Sequence, residues 1–133
     1  MKALVSDTHS AIWFLAKSSN ISSVARQALR GATDAGEPIY VSAITLVEMA
    51  YLIEKGRLPE QDLTDLLNEL QNPSSNFELV PIDLAITRAL RQVSRNDVPD
   101  MPDRIIAATA LYLNLPLVTR DNKIRAANLT TIW

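Results

Sequence analysis

The stretch Leu4-Val5-Ser6-Asp7-Thr8-His9 opens the chain with an apolar run that stops at an aspartate. A strand over Lys2 to Ser6 that is apolar at successive positions, rather than at alternate ones, suits a sheet covered on both faces. Helical spacing follows at once through Ala11, Ile12, Phe14 and Leu15. The same switch recurs downstream. Pro38 to Val41 reads as a strand, and Ser42 opens a helix carrying Ile44, Val47, Tyr51 and Ile53 as far as Gly56. Phe77 to Ile82 is a third strand, followed by a helix from Leu84 to Val93 and a loop from Asn96 to Pro99. A helix from Pro102 to Leu113 leads into a strand from Leu115 to Thr119 and a short helix from Asn122 to Ala127. Ser22 or Ser23 caps one further helix that ends near Gly36, a leucine-rich helix runs from Pro59 to Leu70, and Asn72 to Asn76 is a loop. Thr131 to Trp133 fits an edge strand. Strands alternating with helices predict an α/β fold with a mostly parallel sheet between helical layers.

Four carboxylates occupy telling places in this pattern. Asp7 directly follows the first strand and Asp121 follows the Leu117-Val118-Thr119 strand, so both belong on the rim formed by the carboxyl ends of the strands, where such sheets bind ligands. Asp103 falls in the first turn of its helix and can reach the same edge. Each of the three can equally be a helix cap, with Asp100-Met101-Pro102-Asp103 as an acidic capping box. Capping does not account for Glu48, whose neighbours one helical turn away are Ile44, Thr45, Tyr51 and Leu52; this spacing aims it along the face the helix buries. An isolated buried carboxylate costs several kcal/mol. More carboxylates beside it raise that cost unless a cation sits among them. With no cysteine in the chain, any metal must be held by oxygen, which favours Mg²⁺ or Mn²⁺ with water completing the shell.

Composition narrows the remaining choices. A chain of 133 residues suits one domain with a substantial core, and we expect no second module. The absence of cysteine removes disulfides, zinc–thiolate centres and thiol nucleophiles. No apolar run is long enough for a signal peptide or a membrane span, so a cytoplasmic protein without membrane attachment is expected. The formal net charge is −2, but from Arg88 onward basic residues outnumber acidic ones, and a basic surface beside an acidic pocket suits a phosphate polymer. The three glycines, Gly31, Gly36 and Gly56, make no phosphate-binding loop. A phosphatase of the haloacid-dehalogenase kind would want a second aspartate where His9 stands. His9 reads as a packing or capping residue, Trp13 and Phe14 as core, and Trp133 as packing or a dimer contact.

Taken together, Leu4-Val5-Ser6-Asp7-Thr8-His9, Val41-Ser42-Ala43-Ile44-Thr45-Leu46-Val47-Glu48, Asp100-Met101-Pro102-Asp103-Arg104-Ile105-Ile106-Ala107-Ala108 and Leu117-Val118-Thr119-Arg120-Asp121 resemble the PIN-domain family, in particular the VapC-type toxins of bacterial toxin–antitoxin pairs. The order and spacing of the four acidic motifs carry the likeness over nearly the whole chain. It implies a three-layer α/β/α sandwich around a five-stranded, mostly parallel sheet, an endoribonuclease dependent on Mg²⁺ or Mn²⁺, an RNA substrate, products ending in 5′-phosphate and 3′-hydroxyl, and control by a cognate antitoxin. Asp7, Glu48, Asp103 and Asp121 match the acidic site, with Asp7, Asp121 and Asp103 expected as metal ligands and Glu48 as a ligand or as the group that orients the attacking water. Thr8, Thr119 and Asp100 match supporting positions beside it. Arg104 and Arg120 are expected to meet substrate phosphates or to pair with the carboxylates. The apolar segments Ile44 to Ile53 and Pro59 to Leu70 carry more than a small sheet can cover, which points to an antitoxin-binding surface or a homodimer. Two other readings share these features: a PIN-fold RNA-binding or interaction protein with weak catalysis, and an RNA-processing nuclease that is not a toxin.

Overall fold

A computed structural model describes residues 2–126 and 129–133, so Ala127, where the sequence pattern ends the last helix, lies outside the described residues. The strands are β1 (Leu4–Ser6), β2 (Ile39–Ser42), β3 (Phe77–Val80), β4 (Leu117–Val118) and β5 (Thr131–Ile132). The helices are α1 (Thr8–Leu15), α2 (Ser23–Asp34), α3 (Ala43–Glu54), α4 (Glu60–Gln71), α5 (Leu84–Leu90), α6 (Met101–Leu113) and α7 (Asn122–Ala126). The five strands form one sheet in the order β3-β2-β1-β4-β5, parallel at every pairing. This is the predicted α/β architecture, and the mostly parallel sheet is parallel throughout. β1 lies in the middle, with Val5 opposite Leu117 and Leu4 opposite Ile39.

Alternation along the strands divides the core into two layers. Val5 and Leu117 pack with Ile86, Ile106 and Ile124 from α5, α6 and α7. Leu4, Ile39, Val41, Phe77 and Val118 face the other way, onto Ile12, Leu29, Met49 and Leu66 from α1 to α4. Strands buried on both sides have no room for polar alternation, hence the continuous apolar runs.

Local signals set the element boundaries. The Ser22 hydroxyl accepts from the Ala25 amide at 3.0 Å and caps α2, and Ser42 caps α3 by accepting from Ile44 at 3.2 Å. The chain leaves α2 and α3 through Gly36 (φ 70) and Gly56 (φ 71), left-handed positions that glycine adopts without strain. Three elements are shorter than their sequence patterns. β3 stops before Pro81, which has no amide to give the ladder. β4 begins only at Leu117, because Asn114 takes the left-handed C-cap of α6 and the Leu115 amide still bonds back to Ala110. α5 closes at Leu90 in a series of turns. Much of the leucine face of α4 is covered from within the chain: Leu66 is buried, and Leu63 and Leu70 pack on the same core.

Candidate active site

The strand order reverses direction between β1 and β4, and at the carboxyl edge of that switch point the connections depart to opposite sides, which is where such sheets leave a crevice. Asp7 leaves β1 there and Asp121 follows β4. Glu48 reaches the same crevice from the second turn of α3, and Asp100 and Asp103 from the start of α6. These five acidic residues line one cleft of about 430 Å³ together with Thr8, His9, Ser10, Trp13 and Arg120.

Capping and cleft-lining coexist. The Asp7 carboxylate accepts from the Ser10 amide at 2.9 Å and caps α1, while the residue also faces the cleft. Asp100 caps α6 by accepting from the Asp103 amide at 3.1 Å, with no return bond to complete a box. Asp121 accepts from the Lys123 amide at 2.8 Å, and its own amide donates to the buried Thr119 hydroxyl at 3.0 Å. These local bonds fix three acidic side chains on the rim before any ligand arrives.

Glu48 is held differently, from across the fold. The Thr8 hydroxyl donates to its Oε1 at 2.6 Å and lies 3.0 Å from the Thr45 hydroxyl. A hydroxyl has one proton to give, so Thr8 donating to Glu48 obliges Thr45 to donate to Thr8. Thr45 is fully buried and sits three residues before Glu48 on the same helix; sequence reasoning misses its role, although that spacing is the available signal. Glu48 itself is half-buried, at the border of the face that α3 buries: Ile44 and Thr45 one turn before it are buried, whereas Val47 and Tyr51 are 49% and 61% exposed.

Electrostatics reflect the crowding. Burial pushes the Glu48 carboxyl above its ordinary value and Asp100 and Asp7 add to the rise, against the Thr8 hydrogen bond and His9, which favour the carboxylate. Asp103 is pushed up to about 8, first by burial, then by a hydrogen bond shared with the Asp121 side chain and by the charges of Asp100, Asp121 and Glu48. One of two touching carboxyls keeping its proton is the expected response to confined like charge.

The expected basic residues divide. Arg120 lines the cleft, so the pocket does contain a cation, but its guanidinium lies over the Trp13 ring at 4.8 Å from the centroid. Arg104 is not among the cleft residues; its Nε donates to the Val93 carbonyl at 2.9 Å. Trp13 joins the core, as read from the sequence, and also lines the cleft, tilted against His9 at 5.4 Å and Trp133 at 6.1 Å. The recurrence of His9 and Trp13 four residues apart is the sign that both share a face with the cleft. Phe14 lies in the core against Phe77 at 6.4 Å.

The donor set fits a hard divalent ion. Among the described residues no three carboxylates close into a cage. Mg²⁺ does not need one, since it keeps several waters and is held through one or two carboxylates plus substrate phosphates. Asp103 and Asp121, in contact at a cleft open to water, form such a pair, and a cation there would replace the proton that the crowding retains.

A family model described as PIN domain matches residues 4–128. Ribonuclease VapC22 of Mycobacterium tuberculosis (strain ATCC 25618 / H37Rv) is 29% identical over 136 residues, covering 100% of each chain. A chain in the crystal structure of VapBC2 from Rickettsia felis, bound to a DNA fragment from their promoter, superposes with a TM-score of 0.70 at 20% identity, over 98% of this chain and 97% of that one. A toxin–antitoxin complex from Klebsiella pneumoniae contains a chain that matches with a TM-score of 0.63 at 26% identity, over 98% and 96%.

Proposed function

This chain belongs to the PIN domain family, and from that premise we propose that residues 1–133 act as one domain, a cytoplasmic endoribonuclease dependent on Mg²⁺ or Mn²⁺ and the toxin of a toxin–antitoxin pair. The observation that carries this reading is the convergence of Asp7, Glu48, Asp103 and Asp121 on one cleft at the switch point of the sheet, where burial and the neighbouring carboxylates push Asp103 up to about 8. The ribonuclease relative and the toxin–antitoxin structures support it.

Asp103 and Asp121 are the residues to hold the ion, with Asp7 facing them from the end of β1. When bound, such an ion supplies a water of lowered pKa and offsets charge on the phosphate. The chain contributes the rest. Glu48, its carboxylate aimed by the Thr45–Thr8 chain and its proton affinity raised by burial, orients a water and accepts its proton as the phosphodiester is attacked. Arg120 at the cleft mouth meets a substrate phosphate, held off the carboxylates by the indole beneath it. Thr119 and Asp100 keep Asp121 and the start of α6 in place.

A cognate antitoxin or a second copy of this chain is the partner we propose for the apolar surface beside the cleft. Ile44, Val47, Tyr51, Leu52, Met101 and Pro102 line it, with Met101 at 63% exposure. Incubating purified protein with a mixed cellular RNA pool in Mg²⁺ or Mn²⁺, against EDTA and an Asp7→Asn variant prepared alongside, tests the activity. Metal-dependent cuts that vanish in the variant establish the nuclease. Folded, antitoxin-free protein that cuts nothing in either metal leaves an RNA-binding or interaction protein instead.

A further inference from the structure

Arg120 is a long, exposed cation that shares its cleft with five acidic residues, and nothing in its own chemistry keeps it from folding back onto them. Its guanidinium instead lies over the Trp13 ring at 4.8 Å from the centroid, and Arg120 is not among the main influences on Glu48 or Asp103. A guanidinium resting on those carboxylates would compete with a metal ion for the same oxygens. What holds the indole therefore decides how open the acidic site is.

Trp13 belongs to the last turn of α1 and is only partly buried, so the helix by itself leaves its side chain more than one rotamer. Two neighbours narrow that choice. His9, one turn earlier on the same helix, is tilted against the indole at 5.4 Å. Trp133 meets it from a distant part of the chain, with ring centroids 6.1 Å apart and planes at 58°, the tilted contact that aromatic pairs favour. Trp133 is itself placed by the sheet. It follows Ile132, which pairs with Val118 across β4 and β5 and whose carbonyl accepts from the Thr119 amide at 3.1 Å. Arg120 follows Thr119. One short ladder, with its strands about 4.8 Å apart, thus carries both the arginine and the ring that backs its support. Trp13 and Trp133 also pack on the same core layer.

We infer that Trp133 is a positioning residue of this site: by backing Trp13 it keeps the Arg120 guanidinium on the indole and clear of Asp103 and Asp121, so that the two carboxylates stay open to a divalent ion. Trp133 does not line the cleft and acts only through Trp13. Without its ring the indole gains rotamers, the cation–π contact loses its fixed partner, and Arg120 is free to pair with the acidic residues around it. The inference rests on the metal-dependent nuclease reading of the cleft, but its test does not depend on cleavage.

Titration of the whole chain with Mn²⁺, followed by the electron paramagnetic resonance signal of the free ion, reads the openness of the carboxylates directly. Trp133→Leu keeps apolar bulk on the core but removes the ring, and is expected to weaken Mn²⁺ binding roughly three- to fivefold, the range an exposed charge pair supplies. Trp133→Phe retains an aromatic ring and is expected to stay within about twofold of wild type. Adding Arg120→Gln to Trp133→Leu removes the competitor and is expected to restore wild-type affinity, a coupling that mere loosening of the fold does not produce. Arg120→Gln alone is expected to change Mn²⁺ affinity by less than about twofold, because the guanidinium already stands away from the carboxylates. Wild-type affinity in Trp133→Leu, or a loss that persists undiminished beside Arg120→Gln, overturns the positioning role; metal-dependent RNA cleavage by the wild type then leaves the nuclease standing. A several-fold gain in Mn²⁺ affinity from Arg120→Gln alone also overturns it, without any change at Trp133. Wild-type protein that shows the coupling but cuts no RNA overturns the nuclease and leaves the positioning role.

Discussion

Replacing Asp103 with asparagine removes the carboxyl whose proton balance is most disturbed by the fold. In the folded chain without metal Asp103 is pushed up to about 8 from an ordinary 3.8, so the folded state holds a proton that the unfolded chain has released. A folded pKa above the unfolded one contributes stability that is fully present below about pH 3.8 and is lost as pH rises toward 8. Asparagine, neutral throughout and able to donate to Asp121, is spared this loss. A tenfold change in proton affinity corresponds to about 1.4 kcal/mol. Because Asp103 is half-buried, water screens the crowding, and Asp121 shares the proton, so the expected difference is roughly 2–3 kcal/mol. Metal-free Asp103→Asn should therefore match wild type near pH 4 and exceed it by roughly 2–3 kcal/mol at pH 8 to 9, read by urea unfolding in EDTA at each pH. Saturating Mg²⁺ should narrow or reverse the gap, because only wild type gains fully from binding the ion. A gap that stays constant from pH 4 to 9, or a variant less stable than wild type at pH 8, would refute the crowded-carboxylate account of this cleft.

Four further outcomes follow from the same geometry. Thr8→Val strips the hydrogen bond from Glu48 and leaves the buried Thr45 hydroxyl without its acceptor; a loss of about 1–2 kcal/mol in stability and about tenfold in metal-dependent cleavage rate is expected, from denaturation curves and single-turnover kinetics. Ile106→Ala opens a cavity under the sheet where the side chain is fully buried, costing about 2–5 kcal/mol in urea melts while the cleft residues keep their places. Ser22→Ala removes the α2 cap and should cost about 1 kcal/mol, whereas Ser23→Ala, one position on, should cost little. Tyr51→Lys with Met101→Lys places charge on the apolar surface beside the cleft, and light scattering should then show less self-association, or a pull-down less antitoxin, than wild type; equal behaviour would move the partner surface elsewhere.

Much of the fold is written in short-range chemistry. Ser22, Ser42, Gly36 and Gly56 mark their helix ends because a cap bond or a left-handed residue involves only three or four neighbours. The apolar runs at Leu4, Ile39 and Leu117 announce strands covered on both faces for the same reason. The acidic residues were legible through position: a residue directly after a parallel strand belongs on the carboxyl rim wherever that strand stands in the sheet. The apolar patterns run longer than the strands at β3, which Pro81 ends, and at β4, whose start the left-handed cap at Asn114 delays.

The sequence by itself thus determined the order of elements, the sheet type and the placing of Asp7 and Asp121 on one edge. Only the tertiary structure decided what depends on segments far apart in the chain. That includes the hydroxyl relay from Thr45 through Thr8 to Glu48, the contact that keeps a proton on Asp103, the turning of Arg120 onto Trp13 and of Arg104 away from the cleft, and the covering of α4 but not of Tyr51. The physical reason is range. Backbone caps and periodicity are settled within a helical turn, whereas burial, like-charge crowding and side-chain direction are set by whichever surfaces the sheet order brings together.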